Sequence, residues 1–115
     1  MSNGYIAVDL DGTLAEYDEW RGPAHIGKPI PKMVSRVMHW LAHGKTVKIF
    51  TARVSMGQDA DGSITKTVQD WLERECGLPR LAVTNVKDYD MIECWDDRSV
   101  QVIPNTGEAM DGRLI

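Results

Sequence analysis

Three observations predict a single α/β domain built on a mainly parallel sheet. Short apolar runs with a β-branched bias recur along the chain and alternate with stretches of helical periodicity. Several of those runs stop abruptly at an acidic or hydroxyl residue. The segments between them have room for a crossover helix but not for a second domain. Right-handed βαβ units then give a three-layer sheet of about five strands flanked by helices.

The first strand is expected at Tyr5-Ile6-Ala7-Val8, ending in Asp9-Leu10-Asp11-Gly12-Thr13. Gly12 allows the backbone to turn sharply there. Residues 14–30 are rich in turn formers and charge, and predict a loop over the strand end, with a small hairpin over Leu14–Trp20. Pro29 and Pro31 bracket a helix start, and Val34, Val37, Met38 and Leu41 make an amphipathic face that Gly44 closes. Thr46–Thr51 is the second strand, ending in Thr51-Ala52-Arg53. A polar loop over 54–62 leads to a second helix with Ser63 as its N-cap and Ile64, Val68, Trp71 and Leu72 on its inner face. Cys76, Gly77 and Pro79 end it. Leu81–Val86, Met91–Trp95 and Ser99–Ile103 read as three further strands, followed by a tail.

The totals fit one ordinary core. A chain of 115 residues is one domain by length, and a hydrophobic fraction of 43% supplies its interior. A net charge of −4 argues against a generic polyanion-binding surface and leaves room only for a local basic groove. No apolar run approaches the ~20 residues of a membrane helix. Met1–Tyr5 has no basic and apolar export signal, so a cytoplasmic protein is expected. Cys76 and Cys94 are expected as two buried free thiols.

In a parallel sheet the strand ends share one edge, where ligands bind. That edge collects Asp9, Asp11, Thr51, Lys87, Asp96 and Asp97. Clustered carboxylates repel one another and call for a cation, and hard oxygen ligands suit Mg²⁺. A hydroxyl and an ammonium beside them suit a phosphate. One Asp can then attack phosphorus, and a second can move the proton of the leaving group. The lookalike Asp59-Ala60-Asp61-Gly62 follows no apolar strand and reads as a solvated loop. His39 and His43 read as surface residues, and Trp20 with Tyr17 as anchors of the loop or a stacking platform.

These residues resemble the motifs of the haloacid dehalogenase (HAD) superfamily of phosphotransferases. Asp9-Leu10-Asp11-Gly12-Thr13 matches its DxDGT motif, Thr51 the second motif, Lys87 the third and Asp96-Asp97 the fourth. Locally, Asp9–Ala15, Thr51-Ala52-Arg53 and Asp96-Asp97-Arg98 are similar to the phosphatase domain of bacteriophage polynucleotide kinases. The resemblance implies a Rossmann-like core and a Mg²⁺-dependent phosphomonoesterase. Asp9 would be the nucleophile and a metal ligand. Asp11 would be the general acid/base and lend its main-chain carbonyl to the metal. Thr51, Ala52, Arg53 and Lys87 would hold the phosphoryl group, with Lys66 the rival lysine. Asp96 or Asp97 would complete the metal site, and Arg98 would be structural.

Neither inter-motif gap has room for a cap domain, so an open site is expected. Such a site suits a phosphorylated small molecule, a nucleotide or a nucleic-acid end, or closure by a second copy of the chain. The rival functions are a non-catalytic phosphate-binding module and transfer to an acceptor other than water.

Overall fold

The computed structural model describes residues 4–55 and 57–115. Met56, in the loop expected over 54–62, lies outside them, as do residues 1–3. A parallel sheet of four strands runs in the order β3-β2-β1-β4, formed by β1 (Tyr5–Asp9), β2 (Val47–Phe50), β3 (Val83–Thr84) and β4 (Met91–Trp95). Helices α1 (Pro31–Ala42) and α2 (Ser63–Cys76) connect β1 to β2 and β2 to β3. No helix among the described residues is long and apolar enough to cross a membrane.

Both helices pack on one face of the sheet. Alternate side chains of a strand point to opposite faces. Ile6 and Val8 of β1 sit opposite Val47 and Ile49 of β2, and all four share one buried cluster with Met33, Val34 and Val37 of α1 and Val68, Trp71 and Leu72 of α2. Buried Met33 replaces Met38 in the expected face of α1, and Met38 is exposed. Gly44 closes α1 as expected. It takes φ +75°, its N–H donates to the Leu41 carbonyl, and Lys45 N–H reaches back to Trp40, a Schellman ending.

The cap of α2 differs from expectation. Ser63 is the first helical residue, and the capping acceptor is Asp59, which takes the N–H groups of Ile64 and Thr65 at 2.7 and 3.2 Å. The first Asp of the lookalike D-x-D-G segment is therefore a helix cap rather than a merely solvated side chain. The Thr65 hydroxyl bonded to it holds its carboxyl below the usual range.

The opposite face has no helix of its own among the described residues. β3 ends at the sheet's carboxyl edge and β4 begins at the other, so residues 85–90 must travel back the length of a strand. They pass on the side away from the helices, as a right-handed crossover requires. There the Asp90 carbonyl accepts from Tyr5 N–H at 2.8 Å. Partial desolvation, then the Asp96 and Asp9 charges, push the Cys94 thiol up, and the Lys87 charge acts on it in the opposite sense. Both Cys76 and Cys94 are free, but only Cys76 is buried, because β4 is the edge strand.

The strand expected over Ser99–Ile103 does not join the sheet. Val102 makes an isolated antiparallel bridge to Ala109 instead. Three residues after Trp95 are too few for a parallel return to the sheet.

Candidate functional site

The strand order decides which residues meet. β1 lies between β2 and β4, with Asp9 opposite Phe50 and Val8 opposite Trp95. The next residue past Phe50 is Thr51, and the next past Trp95 is Asp96. The central carboxylate is thus flanked by a hydroxyl on one side and an acidic pair on the other. A cavity of about 420 Å³ opens over this edge, lined by Asp9, Asp11, Thr51, Ala52, Arg53 and Asp96, with Arg98, Gln58, Phe50, Tyr17 and Trp20 completing its wall.

Asp9, Asp96 and Asp97 each turn one carboxylate oxygen into a group in which all three lie within 4.8 Å of one another. None of them makes an ion pair with a Lys or Arg among the described residues. Burial, then a hydrogen bond with Asp97 and the charges of Asp96, Asp97 and Asp11, push Asp9 up to about 7. The oxygen donors and uncompensated charge fit a hard divalent cation.

Local geometry holds the group in place. Arg98 N–H donates to an Asp96 oxygen at 2.7 Å, and the Thr13 hydroxyl stands 3.4 Å from Asp9 and 3.5 Å from Asp97. Gly12 has φ +89°, and a Cβ there would overlap the Asp97 carboxylate. A glycine is needed on both counts.

Asp11 faces another way. Its two oxygens accept from Arg53 Nε and Nη2, each at 2.9 Å. The Arg53 side chain is only 4% exposed, which makes this the buried ion pair of the site. Thr51 is buried too, and its hydroxyl oxygen accepts from Arg53 N–H at 3.1 Å. That bond caps the short 3₁₀ turn Ala52–Val54 and leaves the Thr51 O–H free to donate into the cavity.

The loop over 14–30 rises beside this edge. Its stem pairs Leu14 and Glu16 with Ile30 and Lys28, not the hairpin expected over Leu14–Trp20. Gly27 permits the close pass of Glu16, where a Cβ would overlap a carbonyl. Trp71 Nε1 donates to the Gly27 carbonyl at 3.1 Å and pins the loop's root to α2.

Six of the sequence-predicted residues therefore line the cavity, and Asp97 joins them through Asp9 and Asp96. Lys87 does not. It follows β3, which is two strands from β1, roughly 10 Å at the ordinary strand spacing. It is not among the residues that line the cavity. Lys66 is no substitute, since it is exposed on α2 and paired with Asp70 at 2.9 Å. The cations at the cavity are Arg53 and Arg98.

Sequence reasoning set Arg98 aside as structural and passed over Gln58. Arg98 carried one signal, its place directly after the acidic pair. Gln58 carried none, because its loop has no periodicity. Compared with family models, curated proteins and solved structures, the chain matches none of them.

Proposed function

We propose that the chain is a phosphomonoesterase that uses a divalent cation, of the HAD type its motifs resemble. The carrying observation is the meeting of Asp9, Asp96 and Asp97 beside Thr51 and Asp11 at one edge of a parallel sheet. The same proposal takes the sheet as a reduced form of a Rossmann-like, capless core.

Asp9, Asp96 and Asp97 would hold Mg²⁺, together with the Asp11 carbonyl. Bound there, the cation supplies positive charge that favours the ionised carboxylates and a more electrophilic phosphorus. Asp9 attacks phosphorus in line. An Asp9 O–P bond forms as the bond to the leaving oxygen breaks, and a proton from the Asp11 carboxyl passes to that oxygen. Water then attacks the aspartyl-phosphate, its proton returns to Asp11, and Asp9 is regenerated with release of phosphate. The Thr51 hydroxyl donates to a phosphoryl oxygen throughout.

The cavity wall bears on the substrate. Trp20 is 53% exposed and Tyr17 41%, yet both line the cavity. Planar rings kept at a site mouth suit a leaving group with a ring of its own, such as a nucleotide or a nucleic-acid end.

The test is phosphate release with Mg²⁺ from aryl phosphates, nucleotides and 3′- and 5′-phosphorylated oligonucleotides. Release is expected from the parent and should fall at least ~10³-fold in Asp9→Asn. No release across that panel, by protein shown to bind Mg²⁺, overturns the proposal in favour of a phosphate-binding module.

A further inference from the structure

We propose that Arg53 is a positioning residue, which clamps the Asp11 carboxyl and ties the tip of the 14–30 loop to it. Loop closure and the aim of Asp11 then become one event. The sequence alone offered Arg53 as a phosphate ligand, and its surroundings argue otherwise.

Each of its three side-chain nitrogens already donates to a protein oxygen. Nε and Nη2 take the two oxygens of Asp11 at 2.9 Å, and Nη1 takes the Pro23 carbonyl at 3.2 Å. The guanidinium carbon lies over the Trp20 ring, 4.9 Å from its centroid. Its backbone is fixed as well, by the Thr51 hydroxyl. A planar fork matched to a carboxylate is specific in direction as well as charge. Within the loop, Arg21 pairs with Asp18 and Glu19, and His25 N–H donates to the Gly22 carbonyl; the hydrogen bond of Pro23 and the ring contact of Trp20 leave the loop and end on Arg53. One buried side chain therefore joins three pieces: the turn after β1, the 3₁₀ turn after β2 and the loop tip.

A consequence follows for proton transfer. With both oxygens engaged, Asp11 can carry a proton to a leaving oxygen only if one contact to Arg53 loosens. Its direction is then set by the other contact and by the loop. A poor leaving group depends on that aim, whereas a nitrophenolate leaves without a proton.

The kinetic arm of the test rests on the phosphatase reading, and a second arm does not. Arg53→Gln and Arg53→Lys are made in the full chain, and their thermal midpoints recorded. With Mg²⁺ present, kcat and KM are compared on an alkyl phosphate and on 4-nitrophenyl phosphate. Arg53→Gln should lose ~10²-fold or more in kcat/KM on the alkyl ester, the scale of general acid catalysis, with little change in KM on either substrate. The kcat/KM loss on the nitrophenyl ester should be within ~5-fold, because that ratio stops at release of the leaving group and leaves out the later step in which Asp11 takes the proton of water, and Arg53→Lys should recover part of the alkyl activity.

In the second arm, limited trypsin cleavage after Arg21 in the loop tip should speed up in Arg53→Gln, and less in Arg53→Lys. Should Arg53→Gln fail to fold, Arg53→Lys alone decides both arms. Equal losses on the two esters with a raised KM would make Arg53 a phosphate ligand and overturn the clamp. Unchanged cleavage after Arg21 in folded variants would overturn the tie to the loop. If the parent turns over no substrate, the phosphatase reading falls, and the cleavage arm still decides the clamp.

Discussion

Asp9 and Asp11 stand two residues apart and live in opposite electrostatic settings. Asp11 has a guanidinium on both oxygens, while the charges that act on Asp9 are those of other carboxylates. Gly12, the residue after Asp11, takes φ +89° and, having no Cβ, leaves room for the Asp97 carboxylate that joins Asp9. Gly12→Ala would force a Cβ into the Asp97 carboxylate and strain a backbone at φ +89°. The expected outcome is ~1–2 kcal/mol of lost stability. Mg²⁺ affinity should fall more than phosphate affinity, since Asp97 is displaced while Thr51 is untouched. Calorimetric titration with each ligand checks the split. The roles of Asp9, Asp11 and Thr51 as strand-end residues were legible because chemistry and position coincide in the sequence. The Asp11–Arg53 pair was not, since nothing in a linear chain says which of two nearby anions a guanidinium will choose.

At the scale of elements, the two caps show how far local signals carry. Gly44 and its neighbours spell out the end of α1 in sequence, and the hydrogen bonds follow. The start of α2 was misread because Ser63 is an ordinary capping residue at an ordinary place. The acceptor comes from Asp59, four positions earlier, folded back by the turns between. Asp59→Ala should cost ~1 kcal/mol, seen as a lower thermal midpoint. Turnover per folded molecule should be unchanged, because Asp59 does not line the cavity over the acidic group. A loss of kcat at full folding would show instead that the 54–62 loop takes part in the chemistry. The 14–30 loop was recognised as an overhang from its composition, but its stem was misplaced. The pairing of Glu16 with Lys28 spans a long excursion that no short-range pattern announces.

For the molecule as a whole, alternation of strands and helices made the α/β class legible, but not the strand order. Lys87 shows why this matters. It sits just past a strand, as the motif pattern asks, but the strand is β3, on the far side of β2 from Asp9. The fifth strand failed for a similar reason: an apolar run is necessary for a strand, and only a partner edge within reach makes it one. The acidic group also weighs on overall stability. Asp9 rises from its usual 3.8 to about 7 in the folded protein. Between those values the folded state holds a proton that the unfolded chain has released, so stability is greatest below pH 4 on this account and falls as pH rises towards 7. Metal-free protein should therefore melt at a lower temperature at pH 8 than at pH 5. Mg²⁺ should raise the midpoint at pH 8 and do little at pH 5, where a proton competes for Asp9. Scanning calorimetry with Mg²⁺ and with a chelator tests this. A chelator effect as large at pH 5 as at pH 8 would count against Asp9 as a ligand.

The place of β1 has one more consequence, which concerns synthesis. Of the four strands, the earliest made is an interior strand of the finished sheet, and its two neighbours arrive in turn, β2 and then, after β3, β4. Until residues 91–95 are available, one edge of an apolar strand has no ladder partner. A nascent or truncated chain ending before Met91 would carry that open edge and only part of the acidic group. Such fragments should aggregate rather than wait, and the emerging chain should depend on holding factors for most of its synthesis.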